Sequence, residues 1–361
     1  MTLAEDGTIL SVESREGVDS HYGTEFYSGI LIPGMVNAHT HLELSYLKGQ
    51  IEPDGGFTGF AEGLSAVRNR FTRGEMEQAA GYRDARLFAE GVSAVGDISN
   101  GDVTFGVKKN SRIRYHTFLE LYGLKASAGA ILPLYEKARA SGIAATITPH
   151  STYSLGQQAF GEAVGGAENS PLSVHFMESR EEEELFRGCG SMHDWYMERA
   201  WTADFTGRYA SPADRIVKCI PPDRKILLVH NTFVTRRDVD MLAAHFGGNV
   251  TFVLCPRSNR YINEAEPPAR MLCDAGVRVA VGADSLASNT SLSMVEELKM
   301  LRGIPLETRL RWATISGAQA LGIDAEYGSL EAGKRPGVAL VEGVDWQAME
   351  LLPDAATRRL V

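Results

Sequence analysis

The sequence is short of cysteine and of basic charge, and it has no long hydrophobic run. Its four cysteines, at positions 189, 219, 255 and 273, form no CxxC pair and no dense framework. That excludes a disulfide-stapled secreted scaffold and a thiolate zinc centre, and it points to a reducing, cytoplasmic setting. Lysine and arginine total 36 against 46 aspartates and glutamates, a formal net charge of −10. Such an acid surplus argues against nucleic acid or an anionic membrane surface as a partner. No apolar stretch approaches the ~20 residues of a membrane span. The opening "MTLAEDGTIL" lacks the basic and apolar regions of a secretory signal. No GxGxxG follows the first apolar run, which removes the usual sign of a dinucleotide site. What remains is a soluble protein with a small-molecule partner, and self-association into a homo-oligomer stays open.

A hydrophobic content of 44% over 361 residues suffices for one large core with a small appendage. From about residue 29, short runs rich in β-branched residues alternate with helical stretches. The runs are "ILIPGMVNAHTH", "GVSAVGDIS", "RIRYHTFLELY", "AATITPHSTYS", "LSVHFMES", "KILLVHNTFV", "VTFVLCPRSN" and "VRVAVGADS". Helices are predicted over 75–91, 132–142, 235–247 and 267–276. Eight strand–helix repeats predict an α/β fold, a (β/α)₈ TIM barrel, over 33–321. Residues 1–32 and 322–361 read instead as strands with glycine turns, enough for a small accessory β-sandwich built from both termini. The acidic run "REEEELF" (180–186) reads as a solvated helix start.

The histidines are placed unevenly. Five of nine, His39, His41, His150, His175 and His230, fall at the ends of predicted strands, as does Asp284. In a closed barrel those ends share one rim, where catalytic groups gather. His21, His116, His193 and His245 lie elsewhere and read as surface or structural residues. Residues i and i+2 of a strand share a face, so His39 and His41 can aim together into the barrel mouth. With His175 and Asp284 they make a compact set of three nitrogens and one oxygen. Such donors suit zinc, iron or a related divalent ion, and composition does not choose among them. Glu178 follows His175 by three positions, and a break in the strand would turn it back toward the metal as a general acid–base. His230 reads as a further ligand, a partner of the attacking water or a core residue, the second being favoured. Two candidate substrate contacts remain. Glu43 continues the spacing of His39 and His41, against a lid salt bridge as its alternative. Arg257 is placed to meet an anionic group, against a structural ion pair.

These segments resemble the amidohydrolase superfamily in its deaminase and chlorohydrolase-like branch, with cytosine, guanine and S-adenosylhomocysteine deaminases as relatives. The matching pieces are "PGMVNAHTH", "PHSTYSLG", "HFMES", "VHN", "CPRSN" and "GADSLASNTSLSM", followed by "RWATISGAQALGID" and "GSLEAGKRPGVALV". They occur in the family's order and span almost the whole chain. The resemblance implies a metal-dependent barrel hydrolase in which His39, His41, His175 and Asp284 bind one metal and Glu178 shuttles protons. It implies that His230 orients the attacking water and that His150 helps bind substrate. Binuclear relatives use a carboxylated lysine on the fourth strand. "AATITPHS" has none, which implies a mononuclear site. "HTHLELS" is also similar to aminodeoxyfutalosine deaminases, whose substrate carries adenine. Only 38 residues precede His39, so the accessory sheet is expected to be trimmed or Met1 not to be the natural start.

The chemistry implied is hydrolytic deamination of an amino-substituted heterocycle of purine or adenosine type. Asp284 takes a proton from water and Glu178 delivers one to the ring. Two alternatives stand beside it: hydrolysis of an amide, a cyclic amide or a C–Cl bond at the same site, and metal binding without turnover. Residues 42–73 are expected to form a loop-and-helix lid over the pocket.

Overall fold

The computed structural model describes residues 1–14, 23–53, 55–167 and 170–361; His21 lies outside them. Two short strands open the chain, Thr2–Leu3 (β1) and Ile9–Ser11 (β2), paired antiparallel. The first long apolar run is two strands, not one: Ile30–Pro33 (β3) and Met35–Thr40 (β4). Gly34 divides them at a place with no room for a side chain. A Cβ there would stand 1.8 Å from Ser93 Oγ and 2.5 Å from the Pro336 carbonyl oxygen. On one side of Gly34 the chain serves the terminal sheet, and on the other it enters the barrel.

Seven more barrel strands follow. They are Val92–Ser99 (β5), Arg114–Leu121 (β6), Ala145–Pro149 (β7), Leu172–Phe176 (β8), Ile226–His230 (β9), Val250–Leu254 (β10) and Val279–Val281 (β11). All neighbours are parallel, in the orders β4-β5-β6-β7 and β8-β9-β10-β11. Single parallel bridges, Thr40 with Asp284 and Ser151 with His175, close these two sheets into one ring. The result is a (β/α)₈ barrel. After it come Val338–Asp345 (β12) and Glu350–Arg359 (β13), which form an antiparallel sheet with β3 in the order β13-β12-β3.

The strands are buried on both faces, as parallel barrels require. One apolar cluster includes Val36, Ala38, Ala94, Phe118, Leu227, Val229, Val253 and Ala280, all on barrel strands. Burying Phe118 completely is worth about 2–3 kcal/mol. The helix predicted over 75–91 runs Arg73–Ala89, with a capping box of Thr72 and Glu75. Arg236–Phe246 starts with the same device, built from Thr235 and Asp238. The acidic helix Arg180–Phe186 corrects one expectation, because Glu182 is fully buried rather than solvated. Among the described residues no helix is long and apolar enough to cross a membrane.

Candidate metal centre and its cavity

Both points of ring closure fall on residues singled out in the sequence. At one, the Ala283 and Asp284 N–H groups donate to the His39 carbonyl (3.0 and 3.1 Å), and His41 N–H donates to the Asp284 carbonyl (3.1 Å). Gly282 permits this closeness, since a Cβ would lie 2.7 Å from the His39 oxygen. At the other, His175 N–H donates to the His150 carbonyl at 2.8 Å. The donors then converge. Asp284 Oδ1 lies 3.4 Å from Nε2 of both His39 and His41, and His41 Nε2 lies 3.3 Å from His175 Nε2. One ligand atom each from His39, His175 and His230 also falls within 4.8 Å of the others.

A surrounding set of groups sets which atom of each side chain faces the centre. His175 Nδ1 meets the His150 carbonyl oxygen at 2.9 Å and Glu120 Oε1 at 3.2 Å, which leaves Nε2 for a metal. His230 Nδ1 bonds Asn259 Oδ1 at 2.8 Å, leaving Nε2 inward. Asp284 Oδ2 accepts from Ser258 Oγ (2.5 Å) and Ser288 Oγ (2.6 Å), so Oδ1 is the free oxygen. Glu120 and Asn259 were not picked out in the sequence. Glu120 obeys the rule that found the histidines, since it sits near the end of β6.

Backbone strain marks the same rim. Met177, His230, Asn231 and Asp284 all have φ between 49° and 80°. Met177 is the strand break that returns Glu178 to the centre, where its Oε1 lies 3.7 Å from His230 Nε2. Helix Arg180–Phe186 holds this turn, because Glu182 Oε2 accepts the Glu178 N–H at 3.3 Å and Thr152 Oγ1 bonds its other oxygen.

Burial lowers the pKa of His39, His41, His150 and His230 to about 4, so these rings are neutral and ready to ligate at pH 7. For His175 burial acts the same way, but the adjacent Glu120 carboxylate outweighs it and raises the pKa to about 9. Burial opposes ionisation of Asp284. The His39 and His41 rings, each with Nε2 3.4 Å from its Oδ1, and the nearby His230 ring overcome that and hold it well below the usual carboxylate range. Burial pushes Glu178 up to about 8 against the pull of His175. The site thus holds one ionised and one protonated carboxyl side by side.

A cavity of about 540 Å³ opens above these groups, lined by His41, His150, His175, Glu178, His230 and Asp284 at the metal end. His150 stacks on His175 with centroids 4.6 Å apart. The expected lid over residues 42–73 includes helix Gly56–Val67, which faces helix Ser191–Glu198 across the opening. Glu62 ties the two through Trp195 Nε1 at 3.0 Å and Arg199 at 2.7 Å.

Two expected substrate contacts do not reach this cavity. Glu43 Oε1 accepts the Asn100 N–H at 2.9 Å, and Asn100 Nδ2 donates to Glu120 at 3.0 Å. Glu43 is thus joined to Glu120, which lies beside His175, by way of Asn100. Arg257 bonds Asn289 (2.9 Å) and Thr290 (2.5 Å) and lies 3.7–3.8 Å from Glu296 and Glu297. It is a structural ion pair. His116 bonds Thr146, and neither it nor His193 or His245 joins the cluster.

Inward imidazoles, an ionised aspartate and a protonated glutamate at the mouth of a (β/α)₈ barrel are the equipment of a metal-dependent hydrolase. The amidohydrolase family model matches residues 30–357, and the chain belongs to that family. It is 28% identical over 335 residues to an adenosine deaminase of Helicobacter pylori, spanning 87% of this chain and 80% of the relative. It is 25% identical over 341 residues to a 5-methylthioadenosine/S-adenosylhomocysteine deaminase of Moorella thermoacetica, spanning 87% and 73%. Among solved structures, the Helicobacter pylori aminofutalosine deaminase in complex with methylthio-coformycin superposes with a TM-score of 0.75 at 27% identity, covering 86% of this chain and 78% of that one.

Proposed function

We propose that this protein catalyses hydrolytic deamination of an adenine-type nucleoside, using one divalent ion held by His39, His41, His175 and Asp284. The donor chemistry fits an ion. His39 Nε2 and His230 Nε2 are buried without a hydrogen-bond partner, and Asp284 turns its free oxygen toward the histidines. Zinc suits three imidazoles and a carboxylate, with iron the other candidate. β7 reads "ATITP" and offers no lysine to bridge a second ion.

When bound, the ion supplies Lewis acidity that brings the pKa of a coordinated water toward neutrality. The side chains do the rest. Asp284, ionised, accepts a proton from the attacking water. His230, with Nδ1 engaged by Asn259, offers an unprotonated Nε2 that orients the nucleophile. Glu178 arrives protonated and donates to the ring nitrogen next to the carbon that bears the amino group. It then helps pass a proton to the departing amine, so that water and substrate leave as ammonia and the oxo product. His150, in the cavity wall, braces the base.

The observation that carries this reading is Glu178. A site that only stores metal has no use for a protonated carboxyl 3.7 Å from His230 Nε2. The test is ammonia release by metal-reconstituted protein from adenosine, 5′-methylthioadenosine, S-adenosylhomocysteine and simple purines and pyrimidines. Glu178→Gln should lower turnover about 10²–10⁴-fold while retaining its metal. Silence across the panel, with turnover of a hydantoin, an acylated amine or a chlorotriazine, would move the assignment to amide or C–Cl hydrolysis.

A further inference from the structure

The proposed ligands are not all aimed in the same way. The His150 carbonyl bonds Nδ1 of His175, and Ser258 and Ser288 fix one oxygen of Asp284. His39 and His41 have no protein partner at Nδ1 among the described residues. His39 lies inside β4, but His41 stands one residue past its end, so its direction depends on how the chain leaves the strand. The strand ladder does not settle that exit. Between Asn37 and Thr40, β4 takes three steps where β5 takes two, from Val95 to Asp97. Such a bulge loosens the pairing and re-aims side chains. His41 itself, at φ −114° and ψ 81°, precedes the short helix Leu42–Leu47, and its side chain does not cap that helix.

Asp97 supplies the missing restraint. Its Oδ1 accepts the Leu42 N–H at 2.8 Å, the first N–H that such a helix leaves unpaired. The His41 N–H already donates to the Asp284 carbonyl, so the peptides on both sides of the His41 Cα are bonded. Asp97 is held in turn. Its Oδ2 pairs with Lys108, on helix Phe105–Asn110. The ammonium also donates to Ser99 Oγ (2.9 Å) and Thr117 Oγ1 (3.0 Å), which engages all three of its protons. Both charges are buried, and neither residue lines the cavity. A buried ion pair is a poor route to stability, because well-packed apolar residues commonly do as well or better. What this pair provides is an acceptor that cannot turn away.

We propose that Asp97, locked by Lys108, is a positioning residue for His41. It holds the His41–Leu42 peptide on the β4-β5-β6-β7 sheet, so that this ligand is in place before an ion arrives. The assignment rests on the reading of His41 as a metal ligand.

Two double variants of matched shape isolate the acceptor: Asp97→Asn with Lys108→Met, and Asp97→Leu with Lys108→Met. Both lack the ion pair, and only the first can still accept the Leu42 N–H. Zinc affinity, measured by competition with a chromogenic chelator, should fall about 10–100-fold in the Asp97→Leu double and recover in the Asp97→Asn double. A pair that serves packing alone would leave the two doubles with equal affinity, which overturns the role. The wild type gives a second reading that needs no variant to fold. In zinc-free protein the Leu42 amide should exchange as slowly as those inside β5, while His41, bonded across the join to Asp284, exchanges faster. Leu42 and His41 opening together would also overturn the clamp. If the wild type binds no zinc, the metal reading fails by itself, and the exchange pattern still decides whether Asp97 fixes this peptide.

Discussion

His175 Nδ1 is bonded by the His150 carbonyl with the Glu120 carboxylate 3.2 Å away, as His230 Nδ1 is bonded by Asn259, and in both Nε2 is left inward. Glu120→Gln removes the charge but keeps the shape, and metal affinity should fall about 10–100-fold, measured by competition with a chromogenic chelator. An unchanged affinity would reduce Glu120 to packing. Glu178 makes a second prediction at this scale. Its pKa is raised from 4.5 to about 8, so it is protonated at neutral pH and ionises above. As the proton donor it should give kcat/KM an alkaline limb that falls as pH rises toward 8, drawn to lower pH when a cation occupies the site. A profile flat from pH 6 to 9 would remove it from that role. Single residues were legible in the sequence where the type itself was informative. Five histidines at strand ends could be picked out, but Glu120 looked ordinary inside "FLEL". Arg257 misled because its partners Asn289, Thr290 and Glu297 lie 32 to 40 positions away and only folding brings them near.

At the scale of elements, the eight barrel runs could be read because β-branched stretches alternating with amphipathic segments have few other uses. The break at Gly34 could not, since its cause is the packing of Ser93 and Pro336 against the backbone. Nor could the burial of Glu182, whose neighbouring acids in "REEEELF" are only half-buried. That residue couples a helix to the Met177–Glu178 turn. Burial raises its pKa to about 8, above the 4.5 of a free side chain. For an acid raised on folding, the native state holds the proton longer than the unfolded chain does. Stability therefore declines as pH climbs from about 4.5 to 8. Glu182→Gln keeps the acceptor for the turn and cannot ionise. It should flatten that decline and raise Tm at pH 8 relative to wild type, read by thermal melts at pH 5 and 8. A variant that melts lower at both pH values would show that the carboxyl itself is required.

Across the whole molecule, each of the two four-stranded sheets meets the other only at single bridges, and the four proposed ligands divide evenly between them. His39 and His41 come from the first sheet, His175 and Asp284 from the second. An ion at this centre is thus a cross-link between half-barrels as well as a reagent. At 100 to 1,000 times its Kd such an ion adds about 3–4 kcal/mol. Stripping it with a chelator should lower Tm by about 4–5 °C for a chain of 361 residues, and readdition should restore it. Amide exchange should quicken first at His41 and His175, whose N–H groups bridge the joins, before it reaches the interiors of β6 and β9. Uniform exchange after chelation would argue against the cross-link. If the joins do open first, metal-free chain would separate along them into two four-stranded halves, and its susceptibility to proteolysis would report how much of a preparation carries metal.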